Sequence, residues 1–324
     1  MGSNHIRVLK TLSLDCELVG IYDTDKVKLN EAGLRFSVDT YTDISALLSK
    51  VDAVTIAVPT IYHFATCQQC FEHNVHVLVE KPLAADTDEA DILIRKSREL
   101  GLLLNVGHIE RFNPAFDALK CIFNRESVIS VDFRRLSPYN SRIKDVDVVQ
   151  DLMIHDLDLA CSLFNETPQV ISALGVNVFN STFVDHAAVQ LRFKNNEICT
   201  LTASRVTEQK IRQAQITCRD RFVIADFLER KLEISHSTFG EFNKQDSYRQ
   251  EAVVEKVYVP SGEPLREELA SFIKSVELKM DTNSVSAKDG RRALALMEEI
   301  NSTIYRQLLE GKSKHHDYSH AASY

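Results

Sequence analysis

The feature that most constrains this chain is a series of short apolar runs in its first hundred residues. The runs lie at residues 17–23, 51–59, 76–79 and 102–106. An unbroken apolar run is typical of a strand that is buried on both faces of a parallel sheet. The segments between the runs have helical patterns, and the clearest, at 87–100, has an acidic first turn. This alternation predicts an α/β fold with a doubly wound parallel sheet.

The pattern changes after residue 114. Helical segments at 115–123 and 146–164 are followed by strand-like segments in which apolar and polar residues alternate, as in HAAVQLRF at 186–193. Such alternation predicts a mixed, largely antiparallel open sheet, one face of which is more exposed to solvent than the other. The chain should therefore contain a dinucleotide-binding domain at 1–114, an α+β domain at 115–311, and a flexible tail at 312–324.

Composition excludes several classes of protein. The 38 Lys and Arg residues against 46 Asp and Glu residues give a net charge of -8, which argues against a uniformly basic nucleic-acid binder. No run reaches the roughly 18 apolar residues of a membrane span. The seven cysteines form no disulfide-like framework, which favours the cytoplasm. Cys67 and Cys70 have metal-ligand spacing, but they lie where a helix must pack on the sheet, so we expect core packing and no metal.

The run VLVEKPL places Glu80, Lys81 and Pro82 directly after an apolar run. In an open α/β sheet, the carboxyl ends of the strands form the crevice that binds ligands. A partly desolvated lysine there can transfer a proton or orient a hydroxyl group. The same residues also fit a surface ion pair that merely ends a strand.

Two further runs bring polar residues together. Asp151 and His155 lie four residues apart on a predicted helix, so the carboxylate can fix the tautomer of the imidazole. A buried structural histidine beside acids at a helix start also fits this pattern. The segment NVGHIERFNP leaves the last parallel strand and offers His108, Arg111 and Asn113 as polar groups, although it also fits an interdomain hinge.

In this order and spacing, the motifs resemble the glucose–fructose oxidoreductase/inositol dehydrogenase (Gfo/Idh/MocA) family almost from end to end. The family's Glu-Lys-Pro signature matches residues 80–82, and its Asp-x-x-x-His signature matches residues 151 and 155. A strand-end signature of that family resembles the segment from Val58 to His63, one residue short in spacing. The pair Asp289-Gly290 resembles the start of the family's C-terminal helix.

The resemblance implies a Rossmann-type domain that binds a nicotinamide cofactor and oxidises or reduces a sugar-like hydroxyl. It implies that Lys81 or His155 takes the hydroxyl proton, while Asp151 positions or tunes His155. The implied cofactor is NAD, because no arginine follows Asp23 to bind a 2′-phosphate. The residues implied to bind the cofactor lie at strand ends or at the first helix: Gly2, Asp23, Val58, Pro59, Thr60, His63, Glu80, Lys81 and His108.

The segments at 107–114, 134–158 and 202–212 resemble more closely the branch that oxidises nucleotide sugars at C3. Within it the likeness is to UDP-N-acetylglucosamine 3-dehydrogenases, which supply lipid A synthesis. It implies a sugar or nucleotide-sugar substrate, a 3-keto product, and a homodimer or homotetramer formed through the open second sheet. The residues implied to bind the substrate are Lys81, Arg111, Asn113, Arg142, Asp151 and His155, with Arg111 or Arg142 available to a diphosphate. Two alternatives stay open: a dehydrogenase of a free sugar or cyclitol, and a non-catalytic sugar- or nucleotide-binding relative.

The N-terminus departs from the family pattern. The family begins with a strand and a Gly-x-Gly-x-x-Gly turn whose amides bind the pyrophosphate. This chain begins Met1-Gly2-Ser3, which resembles only the end of that turn. We therefore expect the central first strand to be missing, and either a start upstream of Met1, the favoured interpretation, or a damaged enzyme. Protein that begins at Met1 should be poorly soluble or fail to bind NAD.

Overall fold

A computed structural model describes residues 1–140, 146–179, 182–239, 250–280 and 285–321. The chain forms two units, the first from Met1–Phe112 and Gly262–Ala295 and the second from Asn113–Ser261 and Leu296–Tyr324. The predicted division at 1–114, 115–311 and 312–324 is corrected in one respect. The chain returns to the first unit at residue 262 and leaves it after residue 295.

In chain order, the helices are α1 (Gly2–Thr11), α2 (Lys26–Phe36), α3 (Ile44–Leu48), α4 (His63–Glu72), α5 (Thr87–Glu99), α6 (Pro114–Ile122), α7 (Ile154–Phe164), α8 (Pro264–Leu278) and α9 (Ala287–Ala321). The strands are β1 (Ile21–Tyr22), β2 (Thr40–Tyr41), β3 (Ala53–Ile56), β4 (His76–Glu80), β5 (Leu104–Gly107), β6 (Val128–Leu136), β7 (Gln169–Val176), β8 (His186–Arg192), β9 (Ile198–Ser204), β10 (Ile211–Cys218), β11 (Phe222–Asp226), β12 (Lys231–Phe239) and β13 (Gln250–Val257). Helix α9 continues to Ala321, through most of the segment expected to be a flexible tail.

The first unit contains the predicted parallel strands, but in two separate sheets. Strand β1 pairs in parallel with β2, while β3, β4 and β5 form a second parallel sheet in that order. The apolar run at 17–23 supplies only the two residues of β1. Among the described residues, no strand joins β1 to β3. The predicted α/β class is confirmed, and the gap lies where the first strand of a Rossmann sheet would stand.

Helix α5 forms where its boundary signals predict it. The Asp86 carboxylate accepts a hydrogen bond of 2.8 Å from the backbone N–H of Glu89, which satisfies one of the amides left over at a helix start. Gly101 follows the helix with φ of +67°, a left-handed conformation that glycine adopts at little cost. Between these ends, Leu93 and Ile94 are buried.

The chain returns to the first unit because α8 completes its hydrophobic core. The core side chains that meet there are Val8, Leu12, Leu78, Leu265, Leu269 and Phe272. The start of α9 then approaches β5 closely, since a Cβ at Gly290 would lie 2.6 Å from a methyl carbon of Val106. Any larger residue at Gly290 would therefore push the helix away from the sheet.

The second unit is built on one eight-stranded sheet, in the order β13-β12-β11-β10-β6-β9-β8-β7. Only β6 and β9 run parallel to each other, so the predicted mixed, largely antiparallel sheet is confirmed. The predicted alternation of buried and exposed side chains along β8 is also confirmed. Val189 and Leu191 are buried, whereas Gln190 and Arg192 are exposed.

A buried ion pair ties β6 to α7. The guanidinium of Arg135 donates to the Asp156 carboxylate at 2.7 and 3.0 Å, and both side chains are almost fully buried. Asp156 directly follows His155 in sequence, so the pair fixes the backbone from which the His155 side chain projects. A second buried pair, Arg205–Asp185 at 2.6 Å, lies in the same unit.

Replacing Asp156 by Asn should destabilise the protein by about 3–5 kcal/mol, because it removes one charge of a buried ion pair. Urea denaturation gives this free energy of unfolding. The control Glu229→Gln breaks an exposed pair with Lys231 and should change stability by less than about 1 kcal/mol. Equal stabilities of the two variants would show that the buried pair does not hold α7.

Candidate active site

The parallel strands of the first unit place the predicted site residues at their carboxyl ends. Asp23 follows β1, and Val58, Pro59 and Thr60 follow β3. Glu80 ends β4, with Lys81 next to it, and His108 follows β5. The strands of a Rossmann sheet run in one direction, so these ends form the ligand-binding edge.

The carboxylate of Asp23 is exposed and accepts a hydrogen bond of 2.8 Å from the backbone N–H of Asp25. Asp25 in turn caps α2, accepting from the N–H groups of Val27 and Lys28. Hydrogen bonding to the Lys28 amide lowers the pKa of the Asp25 carboxyl. The turn therefore presents a second carboxylate, that of Asp23, to solvent. Such a carboxylate accepts hydrogen bonds from ribose hydroxyls and repels a 2′-phosphate.

Gly2 begins α1, and Met1 provides no side-chain cap. The first turn contains no acidic residue. The backbone amides at such a helix start, including those of Gly2 and Ser3, attract anions. Gly2, which the resemblance implies as a pyrophosphate contact, thus lies at the start of α1, and that contact stays a prediction.

His63 is buried at the start of α4. Its Nδ1 atom lies 2.8 Å from the carbonyl oxygen of Pro82, and its Nε2 atom lies 3.0 Å from that of Val58. Burial lowers the pKa of His63, against the opposing effect of the two carbonyls. In this arrangement His63 holds together the loops that follow β3 and β4, next to the predicted cofactor and catalytic residues.

Lys81 is half-buried, and its peptide bond to Pro82 is cis. Its neighbour Glu80 is anchored from two sides. The Glu80 carboxylate lies 2.8 Å from Nε2 of His5, and a Cβ at Gly107 would lie 3.2 Å from the Glu80 Cα atom. The backbone that carries Lys81 is therefore tightly held.

A buried acid completes the surroundings of Glu80. Glu268 on α8 is only 2% exposed, and its two carboxylate oxygens have no hydrogen-bond partner among the described residues. Burial first, and then the charge of Glu80, raise the pKa of Glu268 well above its usual range. Glu268 thus keeps its proton when ordinary glutamates have lost theirs.

The sequence-based prediction missed His5 and Glu268. A signal for Glu268 was present, because Leu265, Leu269 and Phe272 form the apolar stripe of α8 and residue 268 falls on that stripe. A glutamate at a core position is rare without a special reason. No comparable signal marked His5.

The segment after β5 brings together Arg111 and Asp289, with 3.6 Å between the Nη2 and Oδ1 atoms. Burial alone would raise the pKa of Asp289, but Arg111, Arg292 and Ser286 hold it below its usual value. His108 is buried. Arg111 is therefore already engaged with a carboxylate within the first unit.

In the second unit, Asn113 and the Asp151–His155 pair have different surroundings. Asn113 is buried; its side-chain oxygen accepts from the N–H of Ala115 and its amide donates to the carbonyl of Phe227. Asn113 thus caps α6. Arg142 lies outside the described residues.

Asp151 and His155 are both half-buried, but the predicted uniform helix is interrupted between them. A π-helical turn spans Val149–Met153, and α7 starts at Ile154. Turns of this kind are rare and often lie at functional sites. Asp151 therefore lies in the π-helical turn and His155 in the first turn of α7, and the pairing of their side chains stays a prediction.

The described residues contain no group of three or more His, Cys, Asp or Glu side chains that could hold a metal. Cys67 and Cys70 are buried on α4, where burial raises their pKa values. None of the described helices has the length and apolar character needed to cross a bilayer.

Two family descriptions match the chain. Residues 1–108 match the oxidoreductase family GFO/IDH/MocA, described as an NAD-binding Rossmann fold, and residues 126–224 match the GFO/IDH/MocA C-terminal domain. The chain belongs to this family. The resemblance found in the sequence is confirmed, and so is NAD as the cofactor.

Individual relatives cover nearly the whole chain. UDP-N-acetylglucosamine 3-dehydrogenase of Acidithiobacillus ferrooxidans is 32% identical over 94% of this chain and 94% of its own length. A solved structure of that enzyme matches with a TM-score of 0.82 and 30% identity, covering 94% of both chains. Myo-inositol 2-dehydrogenase of Thermotoga maritima is 25% identical over 91% of each chain.

The residues present fit NAD at two places. The Asp23 carboxylate suits the adenosine ribose, and the uncapped start of α1 suits the pyrophosphate. Neither place depends on a residue outside the described ranges.

Replacing Glu268 by Gln should remove a pH-dependent loss of stability. The folded-state pKa of Glu268 is raised, so its proton is lost on unfolding, and stability falls as the pH rises above the unfolded-state value. This loss reaches about 1.4 kcal/mol per pH unit for one proton. We expect the free energy of unfolding of Glu268→Gln to increase relative to that of the wild type as the pH rises from 5 to 8. Urea denaturation measures this difference.

The matched control is Glu267→Gln, at the exposed neighbouring position. Its stability should follow the wild type across the same pH range. Parallel curves for Glu268→Gln and the wild type would contradict the buried, protonated state of Glu268.

Proposed function

We propose that this chain is an NAD-dependent dehydrogenase that oxidises C3 of a UDP-N-acetyl-hexosamine to the 3-keto sugar. The observation that carries the proposal is the 32% identity, over 94% of both chains, to a UDP-N-acetylglucosamine 3-dehydrogenase. The positions of the candidate residues support it: Lys81 follows β4, Asp151 lies in the π-helical turn before α7, and His155 lies in the first turn of α7.

The reaction removes a hydride from C3 and a proton from the hydroxyl on C3. NAD, when bound, supplies the hydride acceptor. Lys81 is a candidate for receiving the proton, because a lysine amine at a ligand-binding edge can act as a general base. His155 is the second candidate, because an imidazole exchanges protons near neutral pH. Asp151 would then position or tune His155.

The substrate diphosphate calls for a guanidinium or another cationic group. Arg111 and Arg142 are the candidates. In the described structure Arg111 is paired with Asp289 at 3.6 Å, so binding a diphosphate through Arg111 would require that carboxylate to be displaced or shared. Asn113 is also proposed to contact the substrate, and its side-chain oxygen caps α6.

A dehydrogenase of a free sugar or cyclitol is the second candidate function. It is favoured by the 25% identity to myo-inositol 2-dehydrogenase over 91% of both chains. The two candidates share the hydride and proton transfers and differ in whether a nucleotide is recognised.

We also propose a cytoplasmic homodimer or homotetramer. The seven cysteines are all unbridged, which fits a reducing compartment. Edge strand β7 exposes Leu174 and Val176 on one face, with exposures of 60% and 54%. An edge strand with exposed apolar residues is an association surface unless something covers it, and a second copy of this chain would do so.

Replacing Lys81 by Met should lower turnover about 100-fold or more while NAD affinity changes little, since acid–base groups contribute on that scale. Turnover is measured by NADH absorbance with UDP-N-acetylglucosamine, and NAD affinity by calorimetry. Lys96→Met is the control and should behave as the wild type. His155→Asn should also be impaired; if it alone is inactive, His155 is the base.

Activity on inositol or glucose without activity on UDP-sugars would favour the second candidate. Binding of NAD without oxidation of any of these compounds would support a non-catalytic relative. Normal turnover by both variants would remove Lys81 and His155 from the mechanism.

Replacing Asp23 by Ser should weaken NAD binding and narrow the preference for NAD over NADP. The carboxylate accepts ribose hydrogen bonds and repels the 2′-phosphate, whereas serine does neither as strongly. KM values for both cofactors give the change. Asp220→Ser, at an exposed turn of the second unit, is the charge-matched control. A wild-type preference for NADP would refute this role of Asp23.

A further inference from the structure

The Glu80 carboxylate is enclosed by several elements of the first unit. One of its oxygens lies 2.8 Å from Nε2 of His5 on α1. A Cβ at Gly107 of β5 would lie 3.2 Å from its other oxygen, Oε2. The side chain of Glu80 is only 11% exposed, and that of His5 is only 3% exposed. A carboxylate enclosed in this way depends on the donor that faces it, which is the ring of His5.

The ring of His5 serves Glu80 only while Nε2 carries a proton. A neutral imidazole has a proton on one ring nitrogen and a lone pair on the other. If Nε2–H donates to Glu80, Nδ1 is therefore an acceptor. Nδ1 of His5 is buried and has no hydrogen-bond partner among the described residues. The tautomer that serves Glu80 thus leaves a buried acceptor that needs a donor.

Glu268 is a buried group of the same unit that can supply such a donor. It precedes Leu269 on α8, and Leu269 meets Val8 of α1 in the core, one turn after His5. Both carboxyl oxygens of Glu268 are buried and have no hydrogen-bond partner among the described residues. Burial first, and then the charge of Glu80, raise the pKa of Glu268 well above its usual range. A carboxyl that keeps its proton has one O–H donor.

Helix α8 packs against α1, β4 and the 3₁₀ turn at Ile109–Phe112. Besides His5 and Glu80, the ionisable groups on these elements are Arg7, Lys10, His76, Glu110 and Arg111. Arg7 and Lys10 are exposed, Arg111 is engaged with Asp289, and Glu110 is buried. Apart from burial, the charge that raises the pKa of Glu268 is that of Glu80.

We propose that Glu268, His5 and Glu80 form a positioning triad for Lys81. The Glu268 hydroxyl donates to Nδ1 of His5, directly or through one water molecule. This donation fixes the tautomer in which Nε2–H of His5 donates to Glu80, and Glu80 then holds the end of β4 and the lysine that follows it. Without this donor, Nε2 can lose its proton and turn a lone pair toward the Glu80 carboxylate, which repels it.

Glu268 and His5 act through Glu80 in this inference, and neither exchanges a proton with the substrate. The inference rests on the role of Lys81 in the proposed function, but on no particular sugar. The first measurement below needs no substrate, so the triad can fail independently of the proposed function.

The tautomer of His5 is measured by ¹⁵N NMR of protein labelled at its histidine nitrogens, near neutral pH. The His5 signals are those that His5→Gln or His5→Asn lacks. We expect a neutral ring with its proton on Nε2 in the wild type and in Glu268→Gln, whose side-chain N–H replaces the O–H donor. Glu268→Leu has no donor and should lose this single tautomer. A charged His5 ring in the wild type, or an unchanged tautomer in Glu268→Leu, would overturn the proposal.

The effect on Lys81 is measured by turnover. Glu268→Leu should lower kcat about tenfold or more, because a small displacement of a reacting group is costly, while KM for NAD changes little. Glu268→Gln should restore kcat to within about twofold of the wild type, because it keeps the donor. The control Leu265→Ala removes apolar contacts one turn earlier on α8 and should keep its kcat. Equal losses of kcat in Glu268→Leu and Leu265→Ala would reduce Glu268 to a packing role and overturn the proposal.

The pH dependence of kcat gives a third readout. Above its pKa, Glu268 has no O–H to donate, so the wild type should lose turnover on the alkaline side. Glutamine does not titrate, so this loss should move to higher pH in Glu268→Gln. Coincident alkaline limbs would overturn the role of Glu268 as a donor. A wild type that does not oxidise UDP-N-acetylglucosamine would contradict the proposed function, and the NMR measurement would still decide whether the triad exists.

Discussion

A strand buried on both faces can satisfy its backbone only through the strands beside it, and the first unit is organised by this requirement. Strand β4 meets it fully, because β3 and β5 pair with its two edges. The residues at its carboxyl end, Glu80 and Lys81, are consequently the best-held part of the ligand-binding edge. Asp23 stands at the end of a two-residue strand with one neighbour, and a local turn to Asp25 orients it.

The segments that carry Lys81 and His155 have a second feature in common. In each motif the candidate side chain is adjacent in sequence to an acid that is largely buried and paired. Glu80 precedes Lys81 and contacts His5, and Asp156 follows His155 and contacts Arg135. Charged groups in a low-dielectric interior hold their partners strongly, and removing one partner is costly. The sequence around Lys81 and His155 is therefore constrained by folding as well as by chemistry.

Much of the fold was predictable because its signals are local. Unbroken apolar runs identified the parallel strands β1, β3, β4 and β5 but not β2. Alternation identified β8 and β9, and caps located α5. The motifs that carry Lys81, Asp151 and His155 were also visible in the sequence. Contacts between residues that lie far apart in the sequence were not predictable. No local sequence pattern near residue 262 predicts that α8 packs against Leu78. Likewise, the contact between His5 and Glu80 joins residues that are 75 positions apart.

Some local features also escaped prediction. The π-helical turn at Val149–Met153 depends on hydrogen bonds one residue longer than those of an α-helix, and composition does not encode that choice. The resemblance that implied a cofactor contact for His63 likewise gave no sign that its ring nitrogens face the carbonyls of Val58 and Pro82. Glu268 was missed too, although its place on the apolar stripe of α8 is recognisable in the sequence.

The return of the chain to its first unit affects the order of events during synthesis. Residues 113–261 separate the two pieces of that unit, and a ribosome adds about 5–20 residues per second. Leu78 and Val8 therefore wait on the order of ten seconds before Leu269 and Phe272 emerge to cover them. During that interval their apolar surface is open to chaperones and proteases. A nascent chain that ends before α8 lacks Leu269 and Phe272 and cannot complete this core. The first part of the chain therefore folds fully only after α8 has been synthesised.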